Sequence, residues 1–110
     1  MIIFVSGTGT DAGKTTAACG IVRRLRSAGV RVGVSKPVAT GSVIRAGMEI
    51  SEDAVKLMRA AGMPASEYAQ VNPFLYAPPI SPHLAARRAG RPIPLQRLRR
   101  HLYNMERRLG

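Results

Sequence analysis

The feature that most constrains the fold of this chain is a glycine-rich segment between an apolar run and a helical pattern. The segment reads Gly-Thr-Gly-Thr-Asp-Ala-Gly-Lys-Thr-Thr at residues 7–16, and the apolar run before it is Met-Ile-Ile-Phe-Val at residues 1–5. Glycines permit a tight loop whose backbone N–H groups point inward, and the N-terminus of a following helix attracts the same anion. Lys14 adds a mobile positive charge, and the hydroxyl of Thr15 can join the coordination shell of Mg²⁺. The segment therefore predicts a loop that binds nucleotide phosphates.

This loop is one residue longer than the usual phosphate loop. Counting back from Gly13-Lys14-Thr15, the usual first glycine falls at Thr8, and Gly7 lies one residue earlier. A chance glycine-rich turn is the alternative interpretation. The strand pattern before the loop and the helical pattern after it favour the phosphate loop, because the motif requires both.

The residues that follow predict a βαβ unit. Apolar residues recur at helical spacing from Lys14 to about Ala28, and Gly29 is a typical residue for the end of a helix. Residues 30–34 alternate as a second short strand, which Ser35-Lys36-Pro37 closes. Such a unit has a right-handed crossover and buried strands. The predicted fold class is α/β, a P-loop NTPase-type parallel sheet with flanking helices in three layers, truncated after this unit and the helices that follow it.

The rest of the chain predicts helices separated by loops. Residues 38–48 are rich in glycine and serine and predict a loop, whereas Ser51 is a plausible N-cap for a helix that ends near Ala61. Four prolines within residues 72–82 exclude a regular element there. Two further helices are expected, a short one at residues 83–89 and a last one at about residues 94–109.

The basic charge of the chain raises a nucleic-acid partner as a hypothesis. There are 17 Lys and Arg residues against six Asp and Glu, which gives a formal net charge of +11. On the final predicted helix the arginines mostly flank an apolar stripe, which is typical of a solvated helix face. Aromatic residues for base stacking make up only 5% of the chain, and no nucleic-acid-binding motif accompanies the arginines. We therefore predict no specific nucleic-acid partner.

Composition excludes three further classes of protein. With 45% hydrophobic residues the 110-residue chain can bury a core as one small domain, so disorder throughout is excluded. One cysteine cannot form an internal disulfide or a cysteine-based metal site. The apolar runs are far shorter than the roughly 20 residues that span a bilayer, and no signal peptide is visible. A cytoplasmic protein without a membrane partner is the prediction.

Beyond the loop, the sequence resembles the dethiobiotin synthetase family from residue 2 to about residue 108. The loop looks like that family's lengthened phosphate loop, with Gly9 where the family often carries Asp and Asp11 where Glu is common. Other segments match in order and spacing: Lys36-Pro37-Val38-Ala39-Thr40-Gly41-Ser42, Glu52-Asp53-Ala54, Val71-Asn72-Pro73-Phe74, Pro79-Ile80-Ser81-Pro82-His83 and Gly90-Arg91-Pro92-Ile93.

The resemblance implies ureido-ring closure on 7,8-diaminononanoate with CO₂, ATP and Mg²⁺ in biotin synthesis, by a homodimer. It also implies roles for individual residues. Lys36 and Lys14 would be catalytic, and Thr10 and Thr40 would contact the diamine or its carbamate. Thr15 and Asp53 would reach Mg²⁺, with Asp53 also near the nucleotide. The ATP phosphates would be held by Asp11, Ala12, Gly13, Lys14, Thr15 and Thr16.

The chemistry of that reaction independently requires positive charge at such a site. A carbamate anion must attack the γ-phosphate of ATP, and two anions approach only when fixed positive charge offsets their repulsion. Lys14 and Lys36 are each predicted to follow the carboxyl end of a strand, and in an open parallel sheet those ends meet at the ligand crevice. The plain alternatives are a solvated lysine at Lys36, a turn residue at Thr40 and an ordinary N-terminal helix acid at Asp53.

Family members are considerably longer than this chain. The resemblance places a further strand with a Glu-Gly-Ala-Gly-Gly turn, the base-recognition segment and much of the dimer face beyond Gly110. We therefore expect residues 1–110 to form the amino-terminal half of a single domain, to bind ATP weakly and to close no ring alone. The alternatives are a P-loop ATPase of the partitioning or metal-delivery class, whose early signature lysine is missing from Thr8–Thr10, and a non-catalytic ATP-binding remnant.

Overall fold

The computed structural model describes residues 11–78, 82–91 and 95–109. The strand predicted at residues 1–5, the loop residues 7–10, and residues 79–81 and 92–94 lie outside this description. The elements follow one another as α1 (Asp11–Ser27), β1 (Val38–Thr40), β2 (Val43–Arg45), β3 (Met48–Ile50), α2 (Glu52–Ala61), a 3₁₀ helix (Ala65–Glu67), α3 (Tyr68–Val71), β4 (Phe74–Tyr76), α4 (Pro82–Ala89) and α5 (Leu95–Leu109).

A parallel pair of short strands, β1 and β4, lies between flanking helices. Val38 pairs with Phe74 and Thr40 pairs with Tyr76. The chain between them forms the crossover that parallel pairing requires, and it contains the β2–β3 hairpin, α2 and α3. The structure is therefore α/β with a parallel strand pair, which confirms the predicted fold class.

The prediction of a strand at residues 30–34 is wrong, since these described residues form no strand. Their alternation reflects core packing, because Val34 is buried and Val32 packs against the same core cluster. The ladder begins later, where the Lys36 amide donates to the Val71 carbonyl at 3.0 Å and Phe74 N donates to Pro37 O at 2.9 Å. Lys36 therefore lies just before β1, with Pro37 between them. The prediction that Lys36 follows the carboxyl end of a strand is wrong.

Two segments predicted to lack regular structure contain strands. Residues 38–48 hold β1, β2 and the start of β3, and a two-residue turn with positive φ at Ala46 and Gly47 joins the hairpin. β4 lies inside the proline-rich segment. It forms because Pro73 and Pro78 stand on either side of it, so no ladder N–H is lost to a proline ring.

The prediction for α2 is confirmed at both ends. The Ser51 hydroxyl caps its N-terminus by accepting a hydrogen bond from Ala54 N at 3.2 Å. Gly62 ends it in the left-handed conformation, with φ of 69°. Helix α1 packs against α2, and Arg26 Nη1 of α1 donates to the Ala60 carbonyl at 2.8 Å.

Two groups of buried side chains form the core of the described residues. The larger one joins α1, α2, α3 and the segment before β1, and contains Cys19, Val22, Val34, Ala54, Met58, Ala60, Ala61 and Val71. The smaller one seats α4 on the strand pair through Tyr76, Ala85 and Ala86. In the described part of the chain no helix has the length and apolar character that crossing a membrane requires.

Candidate functional site

The first turns of α1 carry most of the predicted phosphate-binding residues. Helix α1 begins at Asp11, so Ala12, Gly13, Lys14, Thr15 and Thr16 follow directly at its N-terminus. The first four N–H groups of a helix have no intrahelical acceptor, and together with the helix dipole they favour an anion. Thr15 is buried at 7% exposure, Lys14 is half-buried, and Gly13 faces open space. The predicted site residue Thr10 and the side chains of Asp11 and Ala12 lie outside the described residues.

Lys36 and Asp53 form an ion pair. Lys36 Nζ lies 4.0 Å from Asp53 Oδ2, and the two side chains are 27% and 21% exposed. Asp53 belongs to the acidic first turn of α2, where a carboxylate also interacts favourably with the helix dipole. The pair therefore joins the predicted catalytic lysine to one of the two predicted Mg²⁺ ligands.

The backbone around Lys36 is fixed from both sides by the α3–β4 junction. The Lys36 amide donates to Val71 O at 3.0 Å, and the Lys36 carbonyl accepts from Asn72 Nδ2 at 2.8 Å. The following Pro37 carbonyl accepts from Phe74 N at 2.9 Å. These bonds hold Lys36 at a defined position although it lies outside a strand.

A buried polar network continues from Asn72 to α2. The Tyr68 hydroxyl donates to Asn72 Oδ1 at 2.8 Å and accepts from Ser51 N at 2.7 Å. Burial raises the pKa of Tyr68 above 10.0 and the negative charge of Glu49 adds to this, whereas the Ser51 hydrogen bond opposes it. The sequence does not predict the contribution of Tyr68 and Asn72, because Ser51 and Lys36, to which they bind, lie far away along the chain. The available signal is the polar Asn72 directly after the apolar Val71.

Thr40 lies at the far end of β1 from Lys36. It pairs with Tyr76 and is half-buried. A strand advances about 3.3 Å per residue, so the Cα atoms of Lys36 and Thr40 are separated by roughly 13 Å if the backbone is fully extended. The structure therefore brings Lys36 and Asp53 together, with Thr40 at a distance along the strand.

The donor atoms available for Mg²⁺ are the Asp53 carboxylate and the Thr15 hydroxyl. Mg²⁺ prefers oxygen ligands and is usually bound by one or two carboxylates together with substrate phosphates and waters. These two side chains fit that chemistry, and they lie on the packed helices α1 and α2. Within the described ranges no three His, Cys, Asp or Glu side chains are grouped as a metal site, so an ion here would depend on such external ligands.

Comparison with known proteins gives relatives for nearly the whole chain. A family model described as AAA domain matches residues 2–109. The ATP-dependent dethiobiotin synthetase BioD of Chromohalobacter salexigens is 46% identical over 99 residues, which are 90% of this chain and 41% of the relative. The enzymes of the same name from Idiomarina loihiensis and Pseudomonas aeruginosa PAO1 are 43% and 45% identical over 95 residues, 86% of this chain in each case.

This chain spans about two fifths of the length of the curated relatives that it matches. The match to the family model nevertheless covers the phosphate-loop helix, the Lys36 segment and the first turn of α2, because it extends over residues 2–109. The resemblance predicted from the motifs is confirmed by the names of these relatives. The chain belongs to the AAA domain family, and the curated proteins similar to it are ATP-dependent dethiobiotin synthetases.

Proposed function

We propose that this chain holds the ATP phosphates and the catalytic lysine for closure of the dethiobiotin ureido ring. The substrates would be 7,8-diaminononanoate, CO₂ and ATP, and the products dethiobiotin, ADP and phosphate. The observation that carries the proposal is the Lys36–Asp53 pair, at 4.0 Å, whose aspartate lies on helix α2, which packs against α1. The names of the similar proteins support the same reaction.

Phosphate binding would use the N-terminus of α1. The first N–H groups of a helix have no acceptor within it, so those at the start of α1 would donate to phosphate oxygens. Lys14 would add its charge to the β- and γ-phosphates. The buried hydroxyl of Thr15 and the carboxylate of Asp53 would hold Mg²⁺, which supplies charge neutralisation of the phosphates when bound.

Lys36 would act on the reacting anions. One amine of the diamine adds to CO₂ and loses a proton, which gives a carbamate. A carbamate oxygen then attacks the γ-phosphorus and the bond to ADP breaks, and the second amine attacks the carbamate carbon and expels phosphate. The ammonium group of Lys36 would offset the repulsion between carbamate and γ-phosphate, an effect that is worth most in a partly desolvated site such as this one. Thr10 and Thr40 would contact the diamine or the carbamate.

The proposal is tested by measuring whether the formation of dethiobiotin depends on Lys36. Product is measured for the purified chain and for a chimera in which this chain replaces the segment of the Pseudomonas aeruginosa relative that it matches. We expect Lys36→Met to lower the chimera's rate by about 100-fold or more. Lys56→Met is the matched control, because Lys56 is an exposed lysine of α2. An active chimera whose rate is equal with Lys36→Met and Lys56→Met would contradict the role of Lys36.

MgATP binding to the chain itself separates ring closure from simple nucleotide binding. We expect Lys14→Met to weaken MgATP binding by about tenfold or more, since it removes a charge-assisted phosphate contact. Calorimetry with MgATP measures this, with Lys56→Met again as the control. A chain that binds MgATP, but whose chimera makes no dethiobiotin, would correspond to the non-catalytic ATP-binding remnant. A homodimer in the cytoplasm remains part of the proposal, supported by the family resemblance.

A further inference from the structure

Three consecutive hydrogen bonds connect the backbone of Lys36 with the backbone at the N-terminus of α2, which carries Asp53. They run from the Lys36 carbonyl to Asn72 Nδ2, from Asn72 Oδ1 to the Tyr68 hydroxyl, and from that hydroxyl to Ser51 N. Ser51 caps α2, and Asp53 lies two residues further on in its first turn. A path of hydrogen bonds through Asn72 and Tyr68 therefore connects the segment of Lys36 with the start of α2.

Asn72 and Tyr68 each make hydrogen bonds that the most similar side chains, aspartate and phenylalanine, could not make. Asn72 is only 4% exposed, and its Nδ2 group donates to Lys36 O at 2.8 Å and to Phe74 O at 3.3 Å. A carboxylate at this position would place an acceptor against two carbonyl oxygens. The Tyr68 hydroxyl is both donor and acceptor, so phenylalanine would leave the Ser51 amide and the Asn72 side chain without a shared partner.

We propose that Asn72 and Tyr68 are positioning residues that set the separation of Lys36 and Asp53. The inference deepens the proposed function and rests on it, because the pair acquires catalytic meaning only if Lys36 faces the γ-phosphate and carbamate. Asn72 fixes the backbone on the lysine side. Tyr68 fixes the first turn of α2 on the aspartate side. Their side chains are satisfied by specific partners, and apolar packing alone would not define this register.

The test uses two conservative variants and two matched controls in the purified chain. Asn72→Asp removes the donor to Lys36 O, and Tyr68→Phe removes the hydroxyl and keeps the ring. The controls are Asn104→Asp and Tyr103→Phe, because both of these residues are exposed on α5. Urea unfolding of every variant identifies the conditions in which the protein is folded before any other measurement is made.

MgATP affinity, measured with and without the additional change Lys36→Met, separates positioning from general stability. We expect Asn72→Asp and Tyr68→Phe each to weaken MgATP binding by about three- to tenfold when Lys36 is present. In the Lys36→Met background, neither variant should change the MgATP affinity further, because the network then has no ammonium group to position. The two α5 controls should bind like the parent. An equal fold-change in both backgrounds, or no change in either, would overturn the inference.

A second readout needs no nucleotide. Nuclear Overhauser effects between the side-chain protons of Lys36 and Asp53 report their proximity, and we expect Tyr68→Phe to weaken them while Tyr103→Phe leaves them intact. Unchanged effects in folded Tyr68→Phe would overturn the inference. If the parent chain binds no MgATP, the proposed function is contradicted, and the proton contacts still decide whether Asn72 and Tyr68 set the pair.

Discussion

Helices α2 and α5 are both amphipathic, but they differ in how much of the apolar stripe is buried. Both have a clear apolar stripe, yet α2 buries Ala54, Met58, Ala60 and Ala61. Among the α5 side chains that the structure describes, none is buried, and Leu95 at the start of its stripe is 73% exposed. An amphipathic stripe therefore predicts that a helix forms, whereas burial depends on what the rest of the fold packs against it.

The contacts of the two helices follow from their positions. Helix α2 packs against α1 and α3 and lies directly over the larger core cluster. Helix α5 makes polar and cationic contacts with the fold, since His101 Nε2 lies 3.2 Å from Ser35 Oγ and Arg97 lies over the Phe74 ring. Its Met105 is half-buried and lines a cavity beside Val32 and Met63. We therefore expect stability to depend strongly on α2 and weakly on α5.

The largest expected effect tests that difference with three methionines. Met58 in α2 is buried, Met105 in α5 is half-buried, and Met48 in β3 is exposed. Met58→Ala should lower the free energy of unfolding by about 2–5 kcal/mol, because it leaves a core cavity. Met105→Ala should cost about 1 kcal/mol, and Met48→Ala should stay within about 0.5 kcal/mol. Urea denaturation measures all three, and equal losses for Met58→Ala and Met105→Ala would contradict the contrast between the helices.

The next effect concerns the N-cap of α2. Ser51 is buried and its hydroxyl accepts from Ala54 N, so Ser51→Ala should cost about 1–2 kcal/mol. Ser66→Ala is the control, since Ser66 is an exposed residue of the 3₁₀ helix, and should change the free energy of unfolding by less than about 0.5 kcal/mol. If both variants have the same denaturation midpoint, the cap does not stabilise α2 as described.

Two glycines in the α1–α2 region should respond in opposite directions. Gly62→Ala should destabilise by about 1 kcal/mol, because φ is 69° and the new Cβ would meet Arg26 Nη2 at 2.6 Å. Gly20→Ala should stabilise by about 0.5–1 kcal/mol, because Gly20 lies inside α1 with open space around it and alanine favours the helix. Thermal unfolding compares the two, and a gain from Gly62→Ala would refute the C-cap assignment.

The smallest effect is a pH dependence from α5. Burial lowers the pKa of His101 below its ordinary value of 6.5. The unfolded chain therefore binds the proton more readily, so the stability that neutral His101 contributes is present above about pH 6.5 and is lost as the pH falls toward the lower folded value. His101→Gln should remove this slope, as judged from unfolding at about pH 7.5 and about pH 5.5. Parallel pH curves for the two proteins would show that the burial of His101 carries no such linkage.

Local signals explain what the sequence predicted of the fold. The Ser51 cap, the Gly62 end of α2 and the apolar period of α5 each depend on a few neighbouring residues, and these two helices lie where predicted. Helix α1 begins three residues earlier than predicted, at Asp11, and the short α3 is not predicted. β1 and β4 were missed because each is three residues long, too short for a period, and because each is stabilised by a partner far along the chain.

The candidate site was also predictable where local motifs mark it, and not where it depends on contacts between distant segments. Lys36 and Asp53 were identified through the family motifs, and the structure places them in an ion pair. The Tyr68–Asn72 connection between them was not predictable, because hydrogen bonds from Ser51 through Tyr68 and Asn72 to Lys36 cross three segments of chain. The roles of the phosphate-binding residues and of Thr40 stay predictions, and the calorimetry with MgATP tests the role of Lys14.

The parallel pairing of β1 with β4 has a consequence for the order of folding. The β2–β3 hairpin and α2 can form early from neighbouring residues, on microsecond timescales. The Val38–Phe74 pairing must instead close a long loop, whose entropy cost opposes it until most of the crossover is ordered. The hydrogen bonds from Lys36 to Val71 and Asn72 lie where that loop closes, so we expect the lysine to reach its position beside Asp53 in a late step of folding. A nucleotide that binds the closed arrangement would then slow the reopening of the loop and stabilise the whole chain by mass action.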